Sequence, residues 1–392
     1  MAKKKSSSVS EKTGNLVAPK GAALYPRLVI KLGTNLLTAG TDQLDLQVMS
    51  SIVSQVAKLR AQGIEQIIVS SGAIAAGRRK LSLAQERRGI PFKQVLASVG
   101  QSALMFAYEQ LFAWHGITVA QALLTKADLS DRHGYLNTRN TLLSLMELGI
   151  ICIVNENDVV AIDELHEAKF GDNDNLSAMV ANLVDADLLV ILTDIDGLYT
   201  ADPHTDPAAK LIPRVEQIDS ELERMAGATA SQKGTGGMIT KLEAARLATA
   251  SGVGVVVTSG YIPNVLVRLA AGEALGTLFP PATSKLESRK RWMLSGLASR
   301  GKLVIDSGAA RAIRVENKSL LPTGVRDVKG TFLRGDTVEI LDDKSQRIGY
   351  GISNYASEDI KAIKGSHSDK IAALLGHEYG DEVVHKNNLV VL

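Results

Sequence analysis

Leu28-Val29-Ile30-Lys31-Leu32-Gly33-Thr34 is a short apolar run that breaks at its carboxyl end into a lysine and a glycine. Ile67-Ile68-Val69-Ser70-Ser71-Gly72 does the same further on. Between the two, Met49, Ile52, Val53, Val56 and Leu59 recur at the spacing of one helical face, and Gly63 follows as the C′ residue. The unit reads strand, helix, strand. Outward from it, further strands are expected at 118–120, 150–154, 188–192 and 253–257, each separated from the next by a helical stretch. Strands alternating with helices predict an α/β fold with a mainly parallel sheet sandwiched by helices. In such sheets ligands bind outside the carboxyl ends of the strands, where the Gly- and Asp-rich segments of this chain fall.

The texture changes after residue 283. A charged stretch, 284–300, reads as a linker, and from 301 to 392 short β-type runs at 303–305, 325–328, 337–341 and 347–351 alternate with turn residues such as Asp306-Ser307-Gly308 and Arg334-Gly335-Asp336. This predicts a second, small β-barrel-like domain behind a first domain of residues 27–283. Residues 1–26 are expected to be a disordered basic tail. Residues 1–27 carry six Lys/Arg against one Glu, a balance of +5 that leaves −3 for the rest of a chain with net charge +2.

Composition narrows the class. Of the 392 residues, 45% are hydrophobic and 22% charged, which is ordinary globular usage; aromatics are only 4%, so aliphatic side chains must build the core. No run of about 18 uncharged apolar residues is present, and the first ten residues lack the apolar segment of a secretory signal. The single cysteine, Cys152, lies in an apolar strand, reads as a core residue and suits a reducing compartment. These features predict a cytoplasmic protein with no membrane contact. Residues 302–392 balance 13 Lys/Arg with 13 Asp/Glu, so RNA is not expected as a partner.

Neither G-x-x-x-x-G-K-[ST] nor a strand-borne G-x-G-x-x-G occurs. Four other segments carry the chemistry. Lys31 at the end of the first strand could reach phosphate oxygens, with Gly33 letting backbone approach, or could be a solvated edge residue. Ser70 to Gly77 turns from strand to helix and suits either an anion at the helix N-terminus or tight Gly/Ala packing. Asn155-Glu156-Asn157-Asp158 and Gly171-Asp172-Asn173-Asp174-Asn175 form a dense polar set suited to an ammonium and a carboxylate; Asp174 as a helix N-cap would account for one member. A calcium ion is the alternative, but EF-hand spacing is absent. Thr193-Asp194 and the loop Gly234-Thr235-Gly236-Gly237-Met238-Ile239-Thr240-Lys241 complete the group, the loop running into a helix near Thr240. Three glycines in four positions cost backbone entropy on ordering, which points to ligand contact.

Taken together, VIKLGTN, SSGAIAAGR, VGQSALM, LLTKAD, NTRNTL, NENDVVA, GDNDNLSA, LTDIDGLYTADP and GTGGMITK resemble the amino acid kinase family, in the family's order from Leu28 to Thr277. LVIDSGAARAI, SLLPTGV, FLRGDTVEI and IGYGISNY resemble a PUA domain. The pairing is similar to the glutamate-phosphorylating branch. The resemblance implies ATP-dependent phosphorylation of the γ-carboxylate of L-glutamate to L-glutamyl 5-phosphate, the first step of proline biosynthesis, with Mg²⁺. It implies Lys31 and Lys241 as positive charges on the transferring phosphoryl group, and Asp172 and Asp174 as organisers of lysines or metal. Ser71, Asp158 and Asn173 are implied to bind glutamate, and Thr193, Asp194 and Thr235, Gly236, Gly237, Met238, Ile239, Thr240 and Lys241 to bind ATP, with Lys31. Proline as feedback inhibitor, a homo-oligomer and contact with the next enzyme of the pathway are implied too. The first 26 residues have no counterpart, and the 161–170 loop is longer than the common form. Because the acceptor carboxylate, with a solution pKa of ~4.3, is already ionised, no catalytic base is required. The alternatives are a kinase of another small carboxylate, or RNA binding through the second domain.

Overall fold

The computed structural model describes residues 23–81, 89–161, 173–201, 203, 205–228, 237–285 and 300–391. The first domain begins with β1 (Arg27–Leu32), α1 (Thr34–Leu37), α2 (Leu46–Ala61), β2 (Glu65–Ser70), α3 (Ala73–Leu81) and α4 (Ile90–Ala113). It continues with β3 (Val119–Leu124), α5 (Lys126–Ser130), α6 (Arg132–Glu147), β4 (Ile151–Glu156), α7 (Asn173–Leu183) and β5 (Leu188–Thr193). It closes with α8 (Ser220–Ala228), α9 (Met238–Ala250), β6 (Gly254–Ser259), α10 (Val265–Ala270) and β7 (Thr277–Phe279).

The strands form one seven-stranded sheet in the order β3-β4-β2-β1-β5-β6-β7. All pairs are parallel except β6 with β7, an antiparallel edge that periodicity did not reveal. Because both faces are covered, the central strands read as continuous apolar runs rather than alternating ones. The pleat divides them. Val29, Ile67, Val69, Leu189, Ile191 and Val257 pack against α6, α7 and α9. Leu28, Ile30, Leu32, Ile68, Val190 and Leu192 pack against α2, α4 and α10. Met49, Ile52, Val53, Val56 and Leu59 are all buried in that second layer, and Gly63 has φ +79 at the C′ position. Cys152 is fully buried in the first layer, and burial pushes its thiol up to about 12. Chain order turns back at β1, whose neighbours are β2 and β5, so the carboxyl ends of these three strands flank the crevice where such sheets bind ligands.

The second domain holds β8 (Gly301–Ile305), β9 (Val325–Gly330), β10 (Thr337–Leu341), β11 (Arg347–Ile352) and β12 (Leu389–Val391), ordered β12-β11-β10-β8-β9. Its own core gathers Leu303, Ile305, Val338, Ile340, Ile348, Tyr355, Ile360 and Ile363. The two domains touch through Leu136 of α6, which is fully buried with Ile352 and Val390 of the second sheet. The expected tail lies outside the described residues except for 23–26, as does most of the expected linker, 286–299.

Candidate active site

Three elements deliver charged groups to one carboxylate. Lys31 leaves the carboxyl end of β1, and Asp174 and Lys241 sit in the first turns of α7 and α9. The Lys31 Nζ stands 2.5 Å from Asp174 Oδ1, and the Lys241 Nζ 3.3 Å from Oδ2. The Thr240 hydroxyl donates to the same Oδ2 at 2.7 Å. Asp174 is only 1% exposed, and its two lysine partners 5% each. Burial by itself would raise the carboxyl, but the two ammonium groups and the hydrogen bonds outweigh it and hold Asp174 well below the usual carboxylate range. The group is therefore a fixed anion near neutrality, placed to aim two cations.

These positions correct two expectations. Asp174 is not the N-cap of its helix: α7 starts at Asn173, and the carboxylate is turned to the lysines instead. The helix carrying Lys241 starts at Met238 rather than near Thr240, with Gly237 as its N-cap residue and no side-chain capping bond. Its first amides thus carry the positive end of a thirteen-residue helix beside Thr240 and Lys241, where an anion is favoured.

A second group adjoins through Asn173. Its amide nitrogen lies 3.0 Å from the Ser71 hydroxyl and 3.0 Å from Asn155 Oδ1, while Asn155 donates to Gln101 Oε1 at 2.8 Å. Among the described residues, two buried atoms along this run of bonds, Asn173 Oδ1 and Gln101 Nε2, find no hydrogen-bond partner. One is an acceptor and the other a donor, a pair suited to an ammonium and a carboxylate. Leaving either unmet costs about 1–3 kcal/mol, which a bound ligand would recover. Asn155 belongs to the polar set that the sequence marked; Gln101 was not singled out, though it lies inside a quoted motif. Only its contact with Asn155 marks Gln101.

Backbone geometry and packing account for both glycines of the segment Ser70 to Gly77. Gly72 has φ +100, and a Cβ there would meet Leu44 at 3.1 Å, so the turn itself requires glycine. Gly77 serves packing: its Cβ would lie 2.0 Å from the Leu96 carbonyl, and that of Gly100 only 1.8 Å from the Ala73 carbonyl. Helices α3 and α4 are thus pressed backbone to backbone behind Ser71. The Ser70 hydroxyl is 2.8 Å from that of the fully buried Tyr108.

Thr193 and Asp194 stand at the end of β5. The Thr193 hydroxyl donates to Asp194 at 2.9 Å, and Asn35, another residue unmarked in the sequence, donates to the second carboxylate oxygen at 3.1 Å. The Gly33 amide donates to Leu192 O at 3.2 Å, closing β1 onto β5 beside Lys31. Asp158 is half-buried in the turn after β4. Asp172, Thr235 and Gly236 lie outside the described residues, as do residues 162–170 of the long loop. Among the described residues no cluster of three or more His, Cys, Asp or Glu side chains could hold a metal, and no helix is long and apolar enough to cross a membrane.

A mainly parallel sheet with buried Lys31 at its carboxyl end, buried Lys241 on α9, an uncapped helix N-terminus and a polar cluster beside them suit phosphoryl transfer, and comparison places the chain in such a class. Residues 26–259 match the amino acid kinase family and residues 301–375 the PUA domain. The chain belongs to the amino acid kinase family. It is 59% identical over 368 residues, 94% of its length, to a protein of Dehalococcoides mccartyi named glutamate 5-kinase, 99% of which is covered. Proteins of the same name from Herpetosiphon aurantiacus and Geobacter sulfurreducens are 48% and 49% identical, over 94% and 93% of this chain and 98% and 97% of their own.

Proposed function

We propose that this chain transfers the γ-phosphoryl group of ATP to the γ-carboxylate of free L-glutamate, giving L-glutamyl 5-phosphate. The observation that carries the reading is the single buried carboxylate of Asp174 holding Lys31 and Lys241 on its two oxygens. The names of the near full-length relatives support the choice of glutamate and, with it, the first step of proline biosynthesis.

The acceptor is an anion and so is the donor, so the barrier is electrostatic. Glutamate's side-chain carboxylate, with a pKa of ~4.3, needs no base to become nucleophilic. Lys31 and Lys241 would face the oxygens over which charge spreads, and the first amides of α9 would bind the nucleotide phosphates. Asp174 keeps the two ammonium groups in place. Asn173 Oδ1 would accept from the substrate ammonium, and Gln101 Nε2 would donate to the α-carboxylate; Ser71 and Asp158 complete that side of the pocket. Thr193, Asp194 and residues 235–241 form the nucleotide side. Mg²⁺, held chiefly by phosphate oxygens as is usual for this ion, would add charge neutralisation. Asp172 belongs to the same proposal through the family resemblance, as an organiser of lysines or metal. Proline inhibition, a homo-oligomer and delivery to the next enzyme rest on the family resemblance, and a cytoplasmic location on the composition.

A hydroxylamine trap tests the reading, since an acyl phosphate yields a coloured hydroxamate. Purified protein with Mg-ATP should give signal with L-glutamate and none with L-aspartate or N-acetyl-L-glutamate. Signal with another acid only would keep the chemistry and overturn the pocket assignment.

One observation favours a second reading for the C-terminal domain. Although its charges balance overall, a cleft of about 540 Å³ is lined by Arg300, Lys302, Lys329 and Arg347 around Glu339. Glu339 engages two of the four cations, Arg347 and, at 3.1 Å, Lys302. A gel shift with structured RNA at moderate salt decides it: retention abolished by charge reversal at Lys329 supports RNA binding, and free RNA throughout rejects it.

A further inference from the structure

Arg139 is 2% exposed, and its guanidinium serves two domains. It projects from α6 onto the end of α7, where it donates to the Leu183 carbonyl and to Asp185 Oδ2 at 2.5 Å. From the C-terminal domain it takes Asn388 Oδ1 at 2.8 Å and the Asn387 carbonyl at 2.9 Å. Asn388 is 1% exposed, and its own amide lies 3.4 Å from Asn140 of α6. The buried contact of Leu136 with Ile352 and Val390 flanks this junction.

The end of α7 is built to be gripped. Asp185 occupies the left-handed C′ position, φ +52, with its amide on Asn182 O at 3.2 Å and the Ala186 amide on Ala181 O at 2.9 Å. The Leu183 carbonyl belongs to the last turn, whose acceptors have no partner within the helix, and a cation there also meets the negative end of the helix dipole. Lys285 Nζ adds a bond to the Asp185 carbonyl at 2.8 Å, just where the first domain ends. The opposite end of α7 is Asn173 and Asp174. Eleven residues at about 1.5 Å each make a stiff rod of about 16 Å between the junction and the lysine carboxylate.

We propose that Arg139 is a positioning residue for phosphoryl transfer: it makes the docked state of the C-terminal domain a condition on where α7 holds Asn173 and Asp174. The inference rests on the role given above to Asp174. A misplacement of about 1 Å far from the reacting atoms can cost up to ~10²-fold in rate. A lysine would restore the charge of Arg139 but not the fork that reaches four acceptors on two domains.

Asn388→Ala is the decisive variant, because it removes the C-terminal domain's side-chain acceptor and leaves Arg139 and α7 intact; Arg139→Lys is its companion. Each should lower kcat about tenfold with the glutamate KM nearly unchanged, the pattern of a lost transition-state arrangement. The double variant should be scarcely worse than either, because both act through one network. Amide hydrogen exchange should quicken in residues 173–186 of both. A folded Asn388→Ala protein with faster exchange there and wild-type kcat overturns the proposal, as does one with neither change. Asp174→Asn separates the two readings: unchanged kcat in that variant removes the active-site assignment, whichever way the junction variants behave.

Discussion

A carboxylate that is 1% exposed and carries two ammonium groups can be neither a proton shuttle nor a solvated surface acid. Its function is geometric. The same physics makes Lys241 expensive to remove, since Asp174 would lose one of its two ammonium partners and the phosphoryl group one charge-stabilising donor. Lys241→Ala should lower kcat roughly 10²–10³-fold in a steady-state assay; an unchanged kcat would take Lys241 out of the reaction. Asn173 divides differently, because its amide nitrogen is engaged with Ser71 and Asn155 and only its oxygen is open. Asn173→Ala should therefore raise the glutamate KM far more than it lowers kcat, with little effect on the KM for ATP; a change confined to ATP would contradict that pocket.

Between elements, the tightest contact of the first domain is α3 on α4, where glycines at 77 and 100 let two backbones approach. A methyl group at Gly100 would sit 1.8 Å from a carbonyl oxygen of α3, and that atom belongs to backbone that cannot swing aside. Gly100→Ala should destabilise the protein by about 1–3 kcal/mol or more through overpacking, read as a lower denaturant midpoint. Since α3 starts just beyond Ser71, the same variant should also weaken glutamate binding. Wild-type stability would mean that the helices can part without cost. The strand ends obey similar logic: Gly33 closes β1 onto β5, bringing Asn35 to Asp194 without any periodic signal in the sequence.

For the molecule as a whole, Asp174 ties the sheet to the two helices above it, so its ionisation bears on stability. Its folded pKa is depressed below the unfolded carboxylate value of ~3.9, so its contribution is complete above that value and is lost as pH falls beneath it. Wild-type stability should accordingly drop below about pH 4, and Asp174→Asn should flatten that part of the profile. The variant should also be less stable at pH 7, by about 3–5 kcal/mol, because both lysines lose a buried counter-ion. Chemical denaturation from pH 3 to 7 measures both; parallel profiles for the two proteins would show that other carboxylates govern the acid limb. The junction at Arg139 and Leu136 adds a second tie, between domains rather than layers.

Much of this was legible from residue order. Val29 and Ile30, or Ile67 and Ile68, announce buried strands because hydrophobic burial acts on each side chain wherever the chain runs. Lys31, Asn173, Asp174 and Lys241 lay in glycine-rich or carboxamide-rich segments that composition marked, while the roles given to them came from the family resemblance. The antiparallel β7 was not legible, for three residues carry no period. The direction in which Asp174 points was also out of reach: a helix N-cap and an ion-pair anchor use the same side chain, and only the arrival of β1 and α9 decides between them. Gln101, Asn35 and Arg139 share that reason. Each is an ordinary polar residue in its own segment, and what it does is set by partners as far away as 249 positions, between Arg139 and Asn388. Local chemistry wrote the elements and the charged half of the site; the pairing of distant polar groups, which depends on distance in space alone, was decided by the tertiary structure.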